Sequence, residues 1–193
     1  MRTLTCCIFS FAIAATGWAQ FGQPQEFYIP AQISQAIYRS QQTPATCWAA
    51  CNSMLLAAEG IDSSEADQVQ RMSAIIPTAG LQGAGAHFGF ASQALRGQYG
   101  TRTIQPWFLD RRVPPVNPQM NALFVGLLRQ GKPVMVATPQ HGMVAIGVKC
   151  VVYPNGFHEL LAIQVLDPNP QVGGARWLPL PELQAVFGFM AIP

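Results

Sequence analysis

The order of structural signals along the chain predicts an α+β fold. Three observations carry that prediction. The run Cys47 to Glu59 is rich in Ala, Leu and Met, lacks Pro and Gly, and stops at Gly60, which is the pattern of a helix. After Pro133 the character changes to short apolar runs with strand-like alternation. Helical signals come first and strand signals second, so the two do not alternate as they would in an α/β fold. The 193 residues suffice for one domain with a real core, but not for two large ones. Half of the residues are hydrophobic (50%) and 10% are charged, which excludes a disordered chain.

Taken in order, residues 1–19 read as an export signal. Arg2 supplies the positive start, Leu4 to Ala15 the short apolar stretch, and Gly17-Trp18-Ala19 the small residues at the cleavage site. The stretch is short for a bilayer span, and no membrane association is expected after its removal. Cys6 and Cys7 would leave with it. The mature domain, 20–193, then divides into a helical half over about 27–131 and a sheet half over about 132–193. Gln20 to Gln25 is a polar leader, and Phe27 to Ile37 is expected to be extended. Thr46 is placed to cap the Cys47 helix, and the apolar residues all round that helix predict burial. A second helix is expected over Asp62 to Ile76, capped by Asp62, Ser63 or Ser64 and ended by Pro77. Thr78 to Gly89 is a Gly-rich loop. Phe90 to Gln98 reads as a short helix closed by Tyr99-Gly100. Ile104 to Pro118 is Pro-rich, irregular and a candidate linker. Gln119 to Gln130 reads as a helix ended by Gly131. Strands are expected over Val134 to Ala137, Gly142 to Val152 and Leu161 to Leu166, the last two joined by the turn Pro154-Asn155-Gly156. Pro181 to Phe187 is a last short helix before an apolar tail.

Charge excludes one class of function. The formal charge is +2, from 11 basic and 9 acidic residues, and no basic run exceeds the pair Arg111-Arg112. Nucleic-acid binding, which rests on clustered positive charge, is not indicated. No CxxC or HExxH spacing is present, so no metal site is expected, and no other cofactor is implied.

The remaining signals point to thiol chemistry. Cys47 opens a helix, where unpaired backbone N–H groups and the macrodipole favour a thiolate. On its own it reads by default as a core cysteine, and its neighbours change that weighting. Gln41, six residues earlier, is suited to donate beside the Cys47 amide in an oxyanion hole, although Gln32, Gln35 and Gln42 lie close by. His141 stands at the mouth of the apolar strand Gly142 to Val148, where it could take and return a proton or be a plain turn residue. Asp167 ends a strand before Pro168-Asn169-Pro170, and either it or Asn169 could orient the imidazole. Cys51, one turn after Cys47, is read as structural, either buried or bonded to Cys150. His87 and His158 are read as loop and solvated residues. Trp48 is read as core packing, while Trp107 and Trp177 are open between core and cleft.

Together these segments resemble a known family. QQTPATCWAAC resembles the Gln-to-Cys-Trp segment that opens the central helix of papain-like cysteine peptidases. GKPVMVA, QHGMVAIGV and IQVLDPNP resemble the second half of the bacterial papain-like and C39-like branch. The resemblance runs from about Gln41 to Pro170, with Ala45-Thr46 standing where papain has Gly-Ser and Asp167 where plant enzymes have Asn. It implies a papain-like fold, a helical half with the nucleophile helix on a twisted antiparallel sheet. It assigns the nucleophile to Cys47, the base to His141, the orienting group to Asp167 and the oxyanion donor to Gln41. The implied activity is amide-bond hydrolysis on a protein or peptide substrate by an exported enzyme, secreted or periplasmic. The alternatives are a deamidase or acyltransferase on the same triad, and a non-catalytic binding module in which these residues do not converge. No pro-segment of papain length fits before Gln41, so control by export or by a partner such as an inhibitor is expected instead.

Overall fold

The computed structural model describes residues 22–76, 88–110 and 118–193. The expected export signal with Cys6 and Cys7, the residue His87, and most of the Gly-rich loop lie outside the described residues. So does the middle of the Pro-rich stretch.

The chain enters as a strand, β1 (Gln23–Tyr28), and then turns into a helix, α1 (Ala31–Ile37). The expectation of a continuous extended segment from Phe27 to Ile37 is therefore corrected in its second half. Pro30 supplies the reason, since its fixed φ, here −54°, suits a residue that starts a helix, and the following AQISQAI contains no Gly or Pro. The expected central helix is α2 (Cys47–Ala58), and Cys47 to Leu56 are all buried. A helix apolar on every side must sit at the centre of a fold. Each fully buried Leu or Met side chain on it contributes about 1.5–3 kcal/mol. Thr46 occupies the capping position, but its hydroxyl does not cap. It donates instead to Thr43 O at 2.9 Å, closing the turn before the helix.

Next comes α3 (Glu65–Ile75), started by a reciprocal capping box between Ser64 and Asp67. The short helix α4 (Phe88–Leu95) begins and ends earlier than expected. Gly97 onward forms a hairpin instead, β2 (Gly97–Tyr99) with β3 (Arg102–Ile104), turned by Gly100 at φ 60°. The Pro-rich stretch is not wholly irregular either. It contains β4 (Trp107–Asp110), paired with the C-terminal strand. Then come α5 (Pro118–Arg129), β5 (Val134–Ala137), β6 (Gly142–Val152) and β7 (His158–Asp167). Two further strands were not anticipated, β8 (Gly174–Trp177) and β9 (Gly188–Ala191), which flank α6 (Leu180–Ala185). The expected apolar tail is thus a fully buried strand.

One seven-stranded sheet runs β4-β9-β5-β6-β7-β8, with β1 also paired to β6. All of its pairs are antiparallel. β1 and β5 lie end to end along one edge of β6. Two strands from the helix-rich part, β1 and β4, therefore complete the sheet. α2 packs on β5 and β6, and α5 on β1, β5, β6 and β7. The fold is α+β, with the buried helix α2 set against a twisted antiparallel sheet. This arrangement brings the start of α2, the start of β6 and the end of β7 together, because Val144 of β6 pairs with Leu166 of β7.

Candidate active site

Cys47 is the first residue of α2 and is 5% exposed. The first helix-type bonds of α2 run from Ala49 and Ala50 N–H to Thr46 O, so the Cys47 and Trp48 amides precede the hydrogen-bond ladder. The Gly142 N–H donates to Cys47 Sγ at 3.4 Å. There is little room for a side chain at that position. A Cβ on Gly142 would meet Met135 Cε at 2.8 Å and would sit 3.8 and 3.9 Å from the sulfurs of Cys51 and Cys47. The sulfur thus lies at a helix start, under a backbone donor from the sheet. The macrodipole and that donor both point at the sulfur.

His141 is fixed by the turn between β5 and β6. Its N–H donates to the Thr138 hydroxyl at 3.2 Å, and its carbonyl accepts from Thr138 N at 2.9 Å. The ring bonds Asp167 Oδ1 through Nε2 at 2.7 Å, and Cys47 lies near enough to raise its pKa. With Nε2 committed to Asp167, Nδ1 is the nitrogen left for the sulfur. Burial pushes the imidazole pKa down, but the hydrogen bond to Asp167 and the nearby Cys47 outweigh it and raise it to about 9. The ring is therefore an imidazolium at neutral pH.

Asp167 ends β7 and is 1% exposed. Its Oδ1 also accepts from Asn169 N at 2.9 Å, and its Oδ2 accepts from Arg176 Nε at 2.8 Å. Burial raises its pKa, and the bonds to His141, Asn169 N and Arg176 overcome that and leave it lowered. Asn169 holds the carboxylate with its backbone, while its side chain accepts from Gln171 N. It is not the group that orients the ring.

Gln41 lies on a strap tied to both halves. Its backbone N–H donates to Pro168 O at 2.8 Å, and Gln42 N–H donates to Glu65 Oε2 of α3 at 2.9 Å. The side-chain Nε2 donates one of its two hydrogens to Thr43 O at 3.0 Å. Its Oε1 is buried without a partner. The amide is thus held from one edge, with a second N–H remaining.

The residues set aside in the sequence are accounted for. All three described cysteines are free. Cys51 is wholly buried, and burial holds its thiol pKa well above the ordinary value. Its sulfur lies beside Gly142, whereas Cys150 stands eight residues farther along β6, roughly 26 Å away at strand rise. The alternative of a Cys51–Cys150 bond is therefore not realised. His158 is half-buried and bonds Gly156 O at 2.9 Å rather than being fully solvated. Trp48 is core, as expected from its neighbours, whereas Trp107 and Trp177 are exposed, and Trp177 stacks edge-on with Tyr28. No group of three or more potential metal ligands occurs among the described residues.

A groove of about 820 Å³ lies between α1 and the edge formed by β7 and β8, lined by residues that include Tyr28, Tyr38, Ile146, Leu166 and Ala175. Cys47 and His141 are not among its lining residues.

Sequence reasoning missed three contributors, the Gly142 amide, Arg176 and Glu182. Arg176 joins Asp167 to Glu182 of α6, with Nη2 2.7 Å from Glu182 Oε2. Its signal would have been an arginine at a strand position facing a carboxylate, which is invisible while β8 itself is unrecognised.

Residues 30–175 match the peptidase C70 family model, described as papain-like cysteine protease AvrRpt2. No curated protein matches the chain. One solved structure, of a double glycine motif protease from an AMS/PCAT transporter in complex with the leader peptide, aligns at 16% identity and a TM-score of 0.48. That alignment covers 89% of this chain and 96% of the other. With the nucleophile-type helix set on the sheet and the family model spanning most of its length, the chain belongs to the papain-like cysteine protease AvrRpt2 family.

Proposed function

We propose that the protein is an exported cysteine peptidase, secreted or periplasmic, that cleaves peptide bonds in a protein or peptide substrate. Cys47 is the nucleophile, His141 the acid and base, Asp167 the orienting carboxylate, and Gln41 an oxyanion donor. The observation that carries this reading is the convergence at the start of β6, where the Gly142 N–H donates to Cys47 Sγ and the adjacent His141 bonds Asp167 Oδ1 through Nε2.

The chemistry follows from that convergence. The thiolate of Cys47 attacks the carbonyl carbon, and the carbonyl π electrons move onto oxygen. The Cys47 amide and the remaining Gln41 N–H receive that oxyanion. The imidazolium of His141 gives its Nδ1 proton to the leaving nitrogen, the C–N bond breaks, and a thioester remains. The neutral ring then takes a proton from water. The hydroxide attacks the thioester, and the thiolate departs. Asp167 keeps Nε2 protonated throughout, so that Nδ1 always faces the sulfur.

The test is a proteomic cleavage profile of the protein with the Cys47→Ala variant as control. The expected result is new peptide termini that are absent with Cys47→Ala, together with labelling of Cys47 by an epoxysuccinyl inhibitor. Equal cleavage by both proteins would overturn the assignment. Released ammonia or a transferred acyl group without cut chains would redirect it to a deamidase or acyltransferase on the same residues. Export is tested separately, by the N-terminus of protein recovered outside the cytoplasm.

A further inference from the structure

We infer that Arg176, backed by Glu182, is a positioning residue that sets how much of the Asp167 charge reaches His141. The inference rests on the catalytic reading above and adds an element that neither the sequence nor the family match assigns.

The geometry is specific. Register pairs Arg176 of β8 with Val165 of β7, so Arg176 shares a sheet face with Asp167, two residues farther on. One edge of the guanidinium, Nε and Nη2, holds Asp167 Oδ2, each at 2.8 Å. The other edge, Nη1 and Nη2, holds the two oxygens of Glu182 at 3.3 and 2.7 Å. Nη2 also approaches Met143 Sδ at 3.3 Å. A planar fork can serve two carboxylates at once, whereas an ammonium point charge cannot hold both geometries. Asp167 is thereby clamped, with Oδ1 given to the imidazole and to Asn169 N, and Oδ2 given to the arginine. The carboxylate cannot rotate its charge away from the ring.

The same contacts carry an electrostatic balance. The titratable or charged groups that face the His141–Asp167 pair are Cys47 and Cys51 from α2, Arg176 from β8 and, behind it, Glu182 from α6. Cys51 stays a neutral thiol, because burial holds its pKa well above the ordinary value. Arg176 competes with the imidazolium for the charge of Asp167, and Glu182 draws part of Arg176 away. Removing the arginine therefore strengthens the hold of Asp167 on the imidazolium. Neutralising Glu182 frees more of the arginine for Asp167 and weakens that hold. The two changes must act in opposite directions, which a merely structural brace would not produce.

The experiment is a histidine-selective NMR titration of the full chain in the original protein and in Arg176→Met, Arg176→Lys and Glu182→Gln. It is paired with the pH dependence of Cys47 alkylation by iodoacetamide. The His141 midpoint should rise in Arg176→Met and fall in Glu182→Gln, each by about half a pH unit. The high-pH limit of alkylation should move with it. Arg176→Lys should restore the midpoint but not the full alkylation rate. Glu182 is 39% exposed, so its variant remains informative if Arg176→Met does not fold. Unchanged midpoints, or shifts of the same sign, would overturn the inference. Opposite shifts in a protein that cuts no peptide would uphold the charge balance while refuting the peptidase reading.

Discussion

The two halves of the molecule bury their polar groups in different ways. Beneath α2, the helical half is joined by a network of neutral groups, and its buried carboxylate, Glu65 of α3, accepts from the backbone of Gln42. Asn52 Nδ2 donates to Ala91 O at 3.0 Å and to Gln68 Oε1 at 3.3 Å. Gln68 Nε2 donates to Ser63 Oγ at 2.8 Å, and the Tyr99 hydroxyl donates to Ala94 O at 2.7 Å. This network ties α2, α3, α4 and the β2–β3 hairpin together without a formal charge. The sheet half instead ends in a row of ionisable groups, from His141 through Asp167 and Arg176 to Glu182. Burying charges costs more than burying amides, and a row of them persists only where each is paired. In the proposed reaction, the difference separates the part that holds the sulfur from the part that moves a proton. The helical half needs rigidity to hold the sulfur, and neutral amides supply that at any pH. The strand ends need a group that changes charge on demand.

The largest expected effect falls on the charged row. Asp167→Asn should lower kcat/KM roughly 10²- to 10⁴-fold, because an amide cannot accept the Nε2 hydrogen as a carboxylate does. Steady-state kinetics on a cleaved peptide measure this, and near-normal activity would make the row a structural brace only. A smaller effect, on stability alone, is expected from the neutral network. Asn52→Leu leaves Gln68 Oε1 and Ala91 O without their donor and should cost about 1–3 kcal/mol in urea unfolding. The folded fraction should keep its activity and pH profile. A pH profile that moved would erase the distinction between the halves.

The smallest effect is the pH dependence of folding itself. The His141 pKa is raised from 6.5 to about 9, so its stabilisation is complete below 6.5 and is lost as pH climbs through 9. The Asp167 pKa is lowered, so its stabilisation is present above its ordinary value of 3.8 and is lost as pH falls through the lower folded value. Between 3.8 and 6.5 both contributions stand at their full value. The urea midpoint of the original protein should decline from pH 6.5 to 9. In His141→Ala that decline should flatten, and an identical decline in both proteins would assign it to other groups.

Much of this was legible in the sequence where punctuation and periodicity coincide. Gly60 and Gly131 end α2 and α5, and both sit at positive φ, where glycine is preferred. The alternation of β6 and the Asp-Pro that closes β7 put His141 and Asp167 on strand ends, and antiparallel pairing then brought those ends together. The missed elements failed for physical reasons. α1 is short, and its FYIPAQI start fits alternation as well as it fits a Pro-initiated helix. β4 and β8 are four residues each, and pairing with distant strands defines them rather than any local pattern. Arg176 depended on β8, so the outer end of the charged row was hidden with it. The Gly142 donor was hidden because a backbone amide has no sequence signature.

Gly142 also fixes a dimension. Its bare α-carbon lies where the sheet meets the sulfurs of α2, and a single methyl there would collide with Met135. A turn of the flexible Met135 thioether would relieve that collision, so a methyl alone would leave the seam between α2 and β6 as it is. A longer side chain would have no such outlet, because the sulfurs of Cys51 and Cys47 already stand 3.8 and 3.9 Å from that Cβ position. Enlarging residue 142 beyond a methyl would act as a wedge between α2 and β6, lengthening the stroke over which a proton must travel.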